Sequence, residues 1–93
     1  MTNPEFPPTI SLAVRDPHDV EVLQSAEILM REFRAHGVQV LRDVAQSELR
    51  LELSGRSLAS GEIELFLRED PVPRKLKIEE SVEKTLELAR ARR

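Results

Sequence analysis

One stretch constrains this chain more than any other: a helical repeat opened by Asp16-Pro17 and closed by Gly37. Val22, Leu23, Ala26, Leu29, Met30 and Phe33 fall on one side of a helix at about 100° per residue, and Glu21, Glu27, Arg31, Glu32 and Arg34 fall on the other. Aspartate is a good N-cap, proline suits the first helical position, and Asp19 favours the positive end of the dipole. Gly37 stands where a left-handed C-terminal cap is expected, with Val38 as its apolar follower. The spacing predicts a helix over 17–36. Such a helix has one greasy side and needs a second layer to cover it.

The flanking segments supply that layer. Ile10, Leu12 and Val14 alternate with polar or small residues, which reads as a half-buried strand over 9–15. A β-branched strand over 38–44 follows the cap. Glu48-Leu49-Arg50-Leu51-Glu52-Leu53 alternates without error, and Glu62–Arg68 repeats the pattern with Ile63, Leu65 and Leu67 inward. Ser54-Gly55-Arg56-Ser57 reads as a turn. Glu69–Pro73, with two prolines, breaks the sheet. Residues 74–78 fit either a short edge strand with outward lysines or a lead into the last helix. That helix is expected over 79–92, with Val82, Leu86 and Ala89 on its stripe, acids in its first turns and arginines in its last.

The expected fold class is α+β: a two-layer sandwich in the order β-α-β-β-β-α, both helices on one face of a mostly antiparallel sheet. Residues 1–8 (MTNPEFPP) hold three of the six prolines and read as an extended arm, leaving 9–93 as a single domain. The first strand–helix–strand unit is expected to be a right-handed crossover if its strands are parallel.

Composition closes off several kinds of chemistry. The 93 residues include no cysteine, so there is no disulfide, thiolate metal site or cysteine nucleophile. No apolar run approaches the roughly 18–20 residues of a membrane span, and the N-terminus lacks the basic and apolar regions of a signal peptide. A soluble cytoplasmic protein is expected, with no membrane partner. His18 and His36 lie at opposite ends of the first helix, some 27 Å apart, too far to share a metal. There is no GxxxxGK[ST] and no GxGxxG. Ser54, Ser57 and Ser60 read as turn chemistry. Glu62 and Glu64 share a strand face, but Arg50 and Arg68 nearby point to a salt-bridged surface rather than to an acid–base pair. No catalytic, metal-binding or cofactor-binding residue is assigned, and the reading leans away from an enzyme.

Two features rise above this background. The formal net charge of −3 hides an acidic body, −5 over residues 1–67, and a basic last quarter, +2 over 68–93. Arg74, Lys75, Lys77, Arg90, Arg92 and Arg93 could meet phosphates, although a pI of about 5.4 and the scarcity of aromatics weigh against RNA. The second feature is apolar surface outside the core pattern. Ile28 lies on the back of the first helix, Phe66 alternates out of register with Ile63, Leu65 and Leu67, and Leu41 is out of phase with Val38 and Val40. Leu41 and Phe66 would form an interface on the outer sheet face if their strands are neighbours.

Residues 9–44 resemble the opening strand–helix–strand of class II aminoacyl-tRNA synthetase anticodon-binding domains, and Leu53-Ser54-Gly55-Arg56-Ser57-Leu58 resembles a stretch that follows it there. The remaining alternating elements of that domain are missing. The order of elements and the length are also similar to the N-terminal domain of ribosome hibernation-promoting factors, which is basic and shares no motif residues with this chain. Both are similarities of architecture, which does not transmit function.

Three readings follow. The first is a non-catalytic binding or assembly module, a homo-oligomer or accessory subunit that joins itself or another protein through the outer sheet face or an exposed edge strand. The second is an RNA- or ribosome-associated domain using the basic C-terminal quarter. The third is an enzyme whose site forms between subunits.

Overall fold

A computed structural model describes residues 9–44 and 47–91. The expected arm over 1–8, and Arg92 and Arg93, lie outside the described residues. The elements are β1 (Ile10–Val14), α1 (Val20–Ala35), β2 (Val40–Arg42), β3 (Leu49–Leu53), α2 (Gly55–Ser60), β4 (Glu62–Leu67), β5 (Asp70–Lys77) and α3 (Ile78–Ala91). The α+β architecture is the expected one, with α1 and α3 packed on one face of a five-stranded sheet.

The sheet is mixed, in the order β2-β1-β3-β4-β5. β1 pairs in parallel with both β2 and β3, and β3-β4-β5 is antiparallel. A mostly antiparallel sheet was the expectation. Strand alternation reports which face is buried, but it is silent on the direction of the neighbour.

The core lies where periodicity placed it. Ile10, Leu12, Leu49, Leu51, Leu53, Ile63 and Leu65 are buried against Val22, Ala26, Leu29 and Phe33 of α1 and Val82, Leu86 and Ala89 of α3. Phe33 is the largest fully buried side chain.

Helix α1 starts at Val20 rather than at 17. Asp16 is not its cap, because its carboxylate accepts the Gly55 N–H at 2.6 Å, 39 residues away. Asp19 caps instead, accepting from the N–H groups of Glu21 and Val22. The C-terminus matches expectation. Gly37 adopts φ 76°, its N–H donates to Arg34, and the Val38 N–H donates to Phe33, which is a Schellman motif.

Ser54–Ser57 is a capped helix start and not a simple turn. The Ser54 hydroxyl accepts from the Ser57 N–H, and the Ser57 hydroxyl accepts from the Ser54 N–H. With only six residues, α2 is too short for periodicity to announce.

The two prolines of 69–73 do not end the sheet, since β5 runs through both. The ladder is regular from Arg74 onward. Opposed pairs in an antiparallel ladder alternate between bonded and non-bonded. The Ile78 N–H donates to the Gly61 carbonyl, which makes that pair bonded. From the register, Leu76/Ile63 and Arg74/Leu65 are then bonded pairs, while Lys77/Glu62 and Lys75/Glu64 are not. The N–H groups of Lys75 and Lys77 therefore face away from β4. Pro71 and Pro73 fall where the register shifts, between the Leu65–Arg74 and Leu67–Asp70 pairs, and a bulge on an edge strand is a setting that tolerates proline.

Candidate functional site

The face of the sheet opposite the helices is where a partner or ligand can reach this fold. Two features cover its β1 side. The connection from β2 to β3 must return across β1, because β2 and β3 flank it. At its start Asp43 turns the chain with φ 55°, its N–H donating to the Leu12 carbonyl and its carboxylate accepting the Val14 N–H at 3.1 Å. At its end the Ser47 hydroxyl meets that of Ser11 at 2.6 Å. Ser11 is consequently fully buried on what would otherwise be the open face.

Next to this crossing lies a charged cluster on β3. Glu52 is only 8% exposed, although its strand neighbour across the ladder is another acid, Glu64. Two arginines offset that juxtaposition. Arg15 grips Glu52 with Nε at 3.2 Å and Nη2 at 3.0 Å, and Arg50 adds Nη2 at 3.0 Å. A bidentate guanidinium–carboxylate pair is among the stronger polar contacts available to a side chain.

Arg50 also has a second role. Its guanidinium lies 4.8 Å from the centroid of Phe66, directly across the ladder on β4. Phe66 is thus half-buried, with a cation over its ring. The Arg50 Nε is buried there without a hydrogen-bond partner. Around the stack is a shallow concavity of about 410 Å³ lined by Ser47, Arg50, Phe66, Leu67, Arg68, Asp70 and Pro71. It combines apolar surface with cations and an acid, which suits recognition of a mixed apolar and polar group.

The residues singled out from sequence are not gathered into one place. Leu41 and Phe66 both lie on the outer face, but β1 and β3 separate their strands, so roughly 14 Å lies between them. Ile28 is 53% exposed on α1, a helix that packs on the other face. Among the basic residues, Lys75 and Lys77 point to the outer face opposite Glu64 and Glu62, while Arg74 opposes the core residue Leu65. Arg90 is exposed in the last turn of α3. Arg50 pairs along its own strand with Glu52, so its link to Glu62 and Glu64 is not the one the sequence suggested.

His18 and His36 are both exposed. Among the described residues, no cluster of histidines and acids is close enough to hold a metal ion, and no helix is long and apolar enough to cross a membrane.

Sequence reading did not single out Ser11, Arg15, Ser47, Asp70 or Pro71. Ser11 carried the one available signal, as the single polar residue within β1. Nothing local relates Ser11 to Ser47, 36 positions away.

The fold thus defines a small α+β domain with a mixed five-stranded sheet and a shallow, arginine-lined depression on its open face. No protein-family model matches the chain, and no curated protein matches it. Solved structures do share its fold. Among them is Giardia lamblia prolyl-tRNA synthetase in complex with prolyl-adenylate, with a TM-score of 0.69 and 18% sequence identity. The match covers 82% of this chain and 20% of that one, so the chain spans about a fifth of that protein's length. At this identity the likeness is one of fold.

Proposed function

We propose that this chain is a non-catalytic binding and assembly module, a homo-oligomer or accessory subunit that meets protein through the open face of its sheet. The observation that supports this reading is the Phe66 depression. It sets a half-buried aromatic ring beneath an arginine on the face opposite α1 and α3. Aromatic and arginine side chains are the types that most often anchor protein interfaces. Sedimentation at high micromolar concentration tests the reading. The expected result is an assembled species, with Phe66→Asp shifting it to monomer at unchanged helical content. A clean monomer for both proteins would remove the homo-oligomer version.

A second reading, an RNA-associated domain, is favoured by the same stack with Arg68 beside it and by the likeness of fold to part of a tRNA synthetase. It predicts binding of single-stranded RNA that weakens steeply as salt rises and on charge reversal at Arg50 and Arg68. Binding that ignores salt, or none at low salt, would reject it.

A further inference from the structure

The outer edge of β5 carries a recognition surface separate from the Phe66 depression. β5 is the last strand of the sheet and the longest, and Pro71, Val72, Arg74, Lys75 and Lys77 along it are exposed. The ladder alternation turns the N–H groups of Lys75 and Lys77 and the carbonyls of Pro73 and Lys75 away from β4. These are the groups an added strand would bond, at about 4.8 Å spacing.

The side chains say which strand would fit. On the outer face, Glu64 stands opposite Lys75 and Glu62 opposite Lys77, so acid and base alternate from β4 to β5. A sixth strand with carboxylates at alternate positions would continue that alternation, placing an acid beside each lysine. Its intervening residue would lie on the same side as Leu76, which is half-buried against the core. β4 itself shows the pattern, since Glu62-Ile63-Glu64 faces Lys77, Leu76 and Lys75 from the inner side. A second copy of β5 does not fit. Edge to edge, it would set Arg74, Lys75 and Lys77 of two chains together against Asp70 alone, and like charges across a ladder destabilise it.

We propose that the β5 edge binds an extended acidic segment of a partner protein, of the pattern acid–apolar–acid, by strand addition at Lys75 and Lys77. The test uses the full chain and short capped peptides of alternating glutamate and valine, with lysine and valine as the control, followed by NMR titration. The expected result is perturbation of the Lys75 and Lys77 amides by the acidic peptide alone. Lys75→Pro deletes one outward donor but no ladder bond. It also removes the lysine charge, so it is expected to weaken peptide binding at least about tenfold, with folding retained. Leu76→Pro, by contrast, deletes a donor to β4 and is expected to unsettle the sheet. Should Lys75→Pro not fold, the outward register is wrong and the proposal falls.

The double charge reversal Lys75→Glu, Lys77→Glu is expected to abolish binding of the acidic peptide. Phe66→Asp is expected to leave that binding unchanged, which separates this surface from the open face. Equal binding of the lysine peptide, binding unaffected by Lys75→Pro, or no binding at millimolar peptide would each overturn the proposal. So would a homodimer that Lys75→Pro dissociates, which would assign the edge to a second copy.

Discussion

Replacing Phe33 by alanine is expected to remove about 3–5 kcal/mol of stability, the usual cost of emptying a buried aromatic site. Phe33 is the largest side chain of the core and 1% exposed, in the last turns of α1 where that helix lies over the sheet. It is also the one described aromatic on the inner side. A domain of this size has roughly 5–14 kcal/mol in total, so the loss is a large share of it. Thermal denaturation should show a fall of well over 10 °C, since each kcal/mol shifts Tm by roughly 4–8 °C at this length. Ile28→Ala, on the same helix but 53% exposed, is expected to stay within about 0.5 kcal/mol. Similar melting of the two variants would mean that α1 does not present Phe33 to the sheet.

The next largest effect is expected at Glu52. Glu52→Ala removes the carboxylate that joins Arg15, at the end of β1, to Arg50, on β3. Breaking a fully buried pair by deleting one partner costs about 3–5 kcal/mol. Here Arg15 is 62% exposed and Arg50 32%, so water takes up part of the lost interaction. The expected cost is about 1–3 kcal/mol. Freed from Glu52, Arg50 also loses the bond that holds its guanidinium over Phe66. A urea titration reads the stability change. Solvent accessibility of the Phe66 ring, followed by NMR, reads the second effect. Unchanged urea midpoint and unchanged ring signals would show that Glu52 is a passive surface acid.

The site and the fold were not equally readable from the chain. Leu49, Leu51 and Leu53 declare a buried strand face because their period of two matches the pleat, and all three are fully buried. Gly37 declares a helix end because a left-handed residue without a Cβ is the cheapest way to stop one, and φ 76° is what it adopts. Phe66 was legible as an outward residue from parity alone. Its cover was not. Arg50 reaches it across a strand pair whose register depends on where α2 returns the chain, and α2 is too short to leave a periodic trace.

The prolines of β5 show the opposite error. Read locally, Pro71 and Pro73 are breakers, because the reading assumes that every strand N–H is needed. That assumption holds inside a sheet and fails at a bulge on an edge strand, and only the strand order and register reveal where these lie. The N-cap of α1 is a further case. Asp16-Pro17 satisfies the local rule for a helix start, yet Asp16 is drawn to Gly55 at the start of α2, and Asp19 takes the cap.

From sequence alone came the α+β class, the inward face of each strand and the two long helices, because burial imposes periods of 2 and 3.6 that any window of the chain displays. The parallel pairing of β1 with both β2 and β3, the crossing that buries Ser11 beneath Ser47, and the Arg15–Glu52–Arg50–Phe66 chain of contacts came only with the tertiary structure. Each joins residues whose sequence separation carries no periodic signal, and each depends on the direction and order of strands, which no single strand encodes.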